Sequence, residues 1–176
     1  FQINSLKETV DKLLPALKDY ENDRNQFIGH GDMCFNNILV EPISGNIKLI
    51  DPKSEYNKSL NIWGLMDPFY DLAKLNHSFK YLYDSIVNDL FIINYSSFNI
   101  DLKIYAPLKY QMIYEIFQEK LIMDNINQDL LRILSANLFI SMLPLHSDDK
   151  DRMAAFAIIG NIIFSNLEFD QLIIKL

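Results

Sequence analysis

The sequence holds a single cysteine, Cys34, and five glycines among 176 residues. One cysteine excludes an internal disulfide and a cysteine-based zinc site. It fits a reducing compartment, so a cytoplasmic protein is expected. There is no G-x-G-x-x-G and no G-x-x-x-x-G-K-[ST], which leaves no place for a glycine-rich phosphate cradle. Of the three histidines, His77 and His146 stand too isolated to suggest a metal site. The opening FQINSLKETV lacks a basic segment followed by an apolar one, so it does not read as a signal peptide. The chain also begins without Met, and we expect a fragment or a processed form. The longest apolar stretch, MAAFAIIGNIIF, runs for about 12 residues and contains Asn161. A bilayer needs ~20, so no membrane span is expected. Repeats and low-complexity tracts are missing too.

What is present is ordinary for a folded chain. Hydrophobic residues make up 49% and charged residues 22%, which predicts one domain over residues 1–176. The net charge of −7 repels nucleic-acid phosphates, and no nucleic-acid partner is expected. It does not exclude a small phosphate-bearing ligand, because a bound cation inverts the local field.

Periodicity predicts a mostly helical α+β chain. NSLKETVDKLLPALKDYEN places Leu6, Val10, Leu13, Leu14 and Leu17 on one helical face. Ser5 and Glu8 form a capping box, and Pro15 is expected to kink or split the helix. QFIG reads as a short extended segment. NILVE and IKLID, joined by PISGN, read as a β-hairpin. Residues 52–67 read as loop. Asp67 before Pro68 marks the start of a helix expected to run to about Val87. LFIINY and IDLKIYA around SSFN predict a second hairpin, and three helices are expected after it. Strands do not alternate with helices, so a doubly wound parallel sheet is excluded.

The informative stretch is FIGHGDMCFNNILVEPISGNIKLIDPKSE, residues 27–55. Asp32 lies in a loop leading to the first strand, Asn37 at the start of that strand, and Asp51 at the end of the next. A hairpin brings its open ends together, so Asn37 and Asp51 can face one cation. Asp32 then stands at the lip, free to meet a hydroxyl. Hard Mg²⁺ recruits such oxygen donors, and phosphoryl transfer needs charge neutralisation more than covalent help. The bland alternative is a hairpin with polar turn residues at its ends.

Taken together, HGDMCFNN and LID resemble the H-G-D-x-x-x-x-N and I-D segments of the aminoglycoside phosphotransferase and choline kinase superfamily, small-molecule relatives of protein kinases. MDPFYDLAKLNHS is similar to the family's D-P-x-x-D-L-A segment. The resemblance implies a kinase-like C-terminal lobe with short hairpins and a helical bundle. It implies transfer of the γ-phosphoryl group of ATP (or GTP) to a small-molecule hydroxyl. Asp32 would be the catalytic residue, and Asn37 and Asp51 would hold Mg²⁺. His30 and Gly31 would belong to the supporting loop. Asp71 would buttress that loop by accepting from backbone N–H groups; its other reading is an exposed first-turn residue favoured by the helix dipole. Lys53 and Asp67 are candidates for a phosphate or substrate contact.

The family also has an N-terminal lobe that covers the nucleotide and supplies a lysine. Nothing before His30 can supply it, so a missing lobe of the same polypeptide is an expected partner. Choline, ethanolamine, an amino sugar and a sugar are all candidate acceptors, and a role in surface-polysaccharide or lipid head-group synthesis is one expectation. The acidic composition favours a cationic acceptor too generically to decide. Two rivals stand beside this reading: a non-catalytic binding or scaffolding lobe, and a metal-dependent phosphohydrolase. Cys34 reads as a small buried side chain, and HSDDKDR as a solvated cap.

Overall fold

The computed structural model describes residues 5–19, 27–53, 56–59 and 61–175. The first helix, α1 (Leu6–Asp19), opens on the expected capping box. Ser5 N–H donates to Glu8 Oε2 at 2.8 Å, and Glu8 N–H donates to Ser5 Oγ at 3.3 Å. The Ser5 N–H and the Ser5 hydroxyl, both donating to Oε2, hold the Glu8 carboxyl below its ordinary range. Pro15 does not split the helix. It sits on the exposed side with Asp11, whose carbonyl can turn to water when the proline denies it a partner. Leu13 is buried, but Leu14 faces solvent, so the apolar face is narrower than the sequence suggested.

The first expected hairpin forms from β2 (Ile38–Val40) and β3 (Ile47–Leu49), with Ile38 opposite Leu49. Residues 41–46 turn between them, and Gly45 takes the positive φ of 72° that this turn requires. Residues 52–67 are not plain loop. β4 (Tyr56–Asn57) pairs with β5 (Ile62–Trp63), and β6 (Leu65–Met66) pairs with β1 (Phe27–Ile28). Two-residue strands carry too little alternation to be read from sequence.

The expected helix to Val87 breaks in two. α2 (Pro68–Phe79) and α3 (Tyr83–Val87) flank Leu82, which has φ 54°. Tyr81, Leu82 and Tyr83 are all buried. Three consecutive residues cannot share one face of a helix, so the chain turns to bury them all. A left-handed leucine costs on the order of 1–3 kcal/mol, which the burial of three large side chains offsets.

β7 (Phe91–Tyr95) and β8 (Ile100–Ala106) form the second expected hairpin. The three later helices follow: α4 (Tyr110–Met123), α5 (Gln128–Ser141) and α6 (Lys150–Phe164). The unexpected final strand, β9 (Ile173–Lys175), lies parallel to β8. The class is therefore α+β, with helices dominating and strands in small sheets. Among the described residues, no helix is long and apolar enough to cross a membrane.

The core is centred on α5, which packs against α1, α2 and α6. Its apolar side chains point nearly all round, as a helix wrapped by others requires. Phe139 of α5 and Phe156, Ile159 and Ile162 of α6 are fully buried. Each such side chain contributes roughly 1.5–3 kcal/mol. Two polar pairs inside are tied down by side-chain hydrogen bonds. Asn76 Nδ2 donates to Ser135 Oγ at 2.9 Å, and Asn161 Nδ2 donates to Thr9 Oγ1 at 2.6 Å. Arg132 donates to the Ile163 and Phe164 carbonyls and so closes the end of α6.

His77 of α2 is fully buried, with ring centroids 4.1 Å from both Tyr83 and Phe139. Neither ring nitrogen has a hydrogen-bond partner among the described residues. Burial, and then the nearby Lys74 charge, push its pKa well below the ordinary 6.5. Folded His77 stays neutral while the unfolded chain takes up a proton. Stability should therefore fall as pH drops below about 6.5, with a slope approaching ~1.4 kcal/mol per pH unit. Burial raises the Asp84 pKa, which acts with the opposite sign, above the carboxylate's ordinary 3.8. Urea unfolding between pH 7 and pH 5 should show the loss in wild type and a flatter profile in His77→Phe.

Candidate active site

The site is built on the loop between β1 and β2. Gly29 N–H donates to the Gly64 carbonyl at 2.8 Å, which fixes the start of the loop beside β6. A Cβ at Gly29 would lie 2.4 Å from Met66 Sδ and 2.9 Å from Asp71 Oδ2, so only glycine lets the loop come this close. Gly31 adopts φ 82°. Between them the chain presents two consecutive N–H groups to α2. His30 N–H donates to Asp71 Oδ2 at 2.6 Å, and Gly31 N–H donates to Asp71 Oδ1 at 2.8 Å. Asp71 is 8% exposed, which removes the reading of a solvated first-turn residue.

His30 is spent on structure. Asp32 N–H donates to Nδ1 at 3.3 Å, so the proton lies on Nε2, which donates to the Ile50 carbonyl at 2.8 Å. Both ring nitrogens are thus engaged in holding the loop. Lys53 N–H donates to the His30 carbonyl at 2.9 Å, and Ile50 N–H donates to the Asn37 carbonyl at 3.0 Å. The end of β3 is thereby fastened to the loop. Asn37 and Asp51 consequently stand at the same open end of the β2–β3 hairpin.

Asp32 is held from two sides. Asn37 Nδ2 donates to Asp32 Oδ2 at 3.1 Å and to its carbonyl at 2.8 Å. Lys74 Nζ lies 3.0 Å from Asp32 Oδ1. Sequence reading missed Lys74. The available signal was its spacing from Asp71: three residues apart on one helix, both side chains project to the same side. Lys74 is buried, and the Asp32 side chain remains 22% exposed towards a cleft of about 550 Å³. That is the size of an ordinary small-molecule site. Asp32, Lys74 and Asn37 line one side, and the C-terminal turn of α5 lines the other.

Asp51 differs from these residues. It has φ 56°, its side chain is 60% exposed, and its Oδ2 meets Lys53 Nζ at 2.6 Å. The bond to Asp51 raises the Lys53 pKa. Lys53 also lines the cleft. Asp67 does not: it is the N-cap of α2, accepting from Phe69 N–H at 2.9 Å. Cys34 is buried at the cleft wall, and burial pushes its thiol pKa up, which disfavours the thiolate form.

The oxygen donors suit a hard cation. With Asn37 Nδ2 turned to Asp32, its Oδ1 has no partner among the described residues. Asp51 already draws the Lys53 ammonium. Among the described residues no three His, Cys, Asp or Glu side chains converge as a metal cluster. Mg²⁺ tolerates such a sparse set, because it keeps several waters.

Set against known proteins, the chain matches no family model, and no curated protein or solved structure is significantly similar to it. Its chemistry has to be read from its own geometry.

Asp71→Ala would leave two buried N–H groups without an acceptor. Unfolding free energy should fall by about 2–4 kcal/mol. Asp71→Asn should cost nearly as much, because its NH₂ group would face one of the two donors. Urea unfolding of both variants beside wild type checks this; a loss below about 0.5 kcal/mol would show that the loop does not depend on Asp71.

Proposed function

We propose that the chain is the catalytic lobe of a kinase-like small-molecule phosphotransferase. It moves the γ-phosphoryl group of ATP (or GTP) to a hydroxyl of a small acceptor. One observation supports this most: a carboxylate fixed by a lysine and an amide, at the lip of a cleft, beside a hairpin end that carries two further oxygen donors. A hairpin that merely ended in polar turn residues would not need Asp32 to be clamped in this way.

In this reading the acceptor hydroxyl docks against Asp32. The Asn37 and Lys74 contacts fix the direction of the remaining lone pairs, so Asp32 orients the hydroxyl for attack. A carboxylate is a weak base towards an alcohol, so Asp32 takes the proton late, as the new O–P bond forms. Asn37 Oδ1 and the Asp51 carboxylate would hold Mg²⁺, which supplies charge neutralisation at the phosphates when bound. Lys53 stands beside Asp51, within reach of a nucleotide phosphate.

The test uses the full-length protein with ATP, Mg²⁺ and a panel of hydroxyl acceptors. Asp32→Ala should lower kcat about 10²–10⁴-fold with nucleotide affinity nearly unchanged. Asp51→Asn should lower Mg²⁺-dependent nucleotide affinity by roughly 10–100-fold, partly recovered by added Mg²⁺. Asn37→Ala should change it with the same sign and less, since an amide carries no net charge. An unchanged Mg²⁺ dependence in Asp51→Asn would falsify the metal assignment. ATP hydrolysis that ignores every acceptor favours the phosphohydrolase, and absence of nucleotide binding favours the non-catalytic lobe.

A further inference from the structure

We infer that the acceptor is an uncharged polyhydroxy compound of the sugar class, not an ammonium compound, and that Lys74 sets this choice. The inference rests on the phosphotransferase reading above. Asp32 is the one carboxylate lining the cleft among the described residues. Its Oδ1 already faces Lys74 Nζ at 3.0 Å, and its Oδ2 already accepts from Asn37 Nδ2. The charge an ammonium acceptor would seek is therefore compensated before any ligand arrives. Lys74 is 7% exposed and packed in place, so it cannot swing away as a surface lysine would. Asp84 interacts with Lys74 and Cys34 but is not part of the cleft lining.

Quaternary ammonium groups are otherwise held by cages of aromatic faces. Two tyrosines line this cleft, Tyr70 and Tyr83. Tyr83 is stacked against both His77 and Phe156, with interplanar angles of 25° and 19°, so its ring is engaged with the core. Tyr70 alone does not make a cage. The C-terminal turn of α5 offers a partial negative charge, which favours a cation. The Leu138 carbonyl there already accepts from Met142 N–H and the Ser141 hydroxyl. A partial charge so engaged adds little attraction for a cation.

The same walls suit a sugar. Asn36 offers a neutral donor and acceptor to hydroxyls, and Ser141 Oγ, its hydrogen given to Leu138, offers an acceptor. Leu138, Met142 and Leu145 offer an apolar surface to the C–H face of a ring.

The experiment measures initial rates of the full-length protein with ATP and Mg²⁺. One set of acceptors is neutral hexoses, pentoses and alditols; the other is choline, ethanolamine and amino sugars. Neutral acceptors should show kcat/KM at least about tenfold higher, the scale on which the loss of one charge attraction acts. Lys74→Met should narrow that ratio by about tenfold or more, the scale on which removing one charge acts. Lys74→Arg keeps the charge and should preserve the ratio. Equal or better use of ammonium acceptors by wild type overturns the inference and leaves the phosphotransferase standing. Should Lys74→Met fail to fold, this wild-type comparison still decides. An unchanged ratio in a folded Lys74→Met overturns the role of Lys74. Acceptor-independent behaviour across both sets overturns the phosphotransferase reading and the inference with it.

Discussion

The Asp71 carboxylate takes hydrogen bonds from two adjacent backbone N–H groups that lie 41 and 40 residues upstream. A loop rich in polar groups has no reason of its own to sit against a helix, because water satisfies it equally well. Asp71 changes that balance, since charge-assisted bonds away from water are stronger than neutral ones. The rest of the site follows in order. The loop closes on α2, His30 ties it to Ile50, and Asn37 reaches back to Asp32. Gly29 and Gly31 permit the approach; Asp71 supplies the force for it.

The Lys74–Asp32 pair belongs to a different energetic class. A largely buried ion pair returns little net stability, since desolvation of both charges consumes most of the attraction. Its product is direction. With Lys74 on one oxygen and Asn37 on the other, Asp32 has little rotational freedom left. Asp51 is arranged the opposite way: it is exposed, held by an exposed lysine and set at a positive φ. One carboxylate is immobilised and the other is left able to exchange its cationic partner.

Legibility in the sequence followed the range of the interactions. The capping box at Ser5, the N-cap at Asp67 and both hairpins are local features, and local spacing reveals them. The position of Asp71 against the loop was legible only through the resemblance of its segment, because 40 residues separate it from its partners. Lys74 stayed hidden, since its spacing from Asp71 marks it as inward only once Asp71 is known to be buried. The break at Leu82 was also hidden. It arises from competition among three buried side chains, which periodicity alone reads as one continuing helix. The pairings of β1 with β6 and of β8 with β9 come from tertiary placement, and β1, β6 and β9 are too short to show alternation.

Asp71 and Lys74 lie one helical turn apart on the same rigid segment. The loop is therefore pinned to α2 at two points, one through its backbone and one through the Asp32 side chain. Loop and helix behave as one mechanical body. Thermal fluctuation cannot lift Asp32 while leaving α2 in place unless both attachments break together. Their joint rupture defines a cooperative opening unit, and the His30 and Gly31 amide hydrogens are sealed inside it. Exchange of those two hydrogens with solvent thus keeps time with the detachment of the whole loop from α2 rather than with the flicker of one residue.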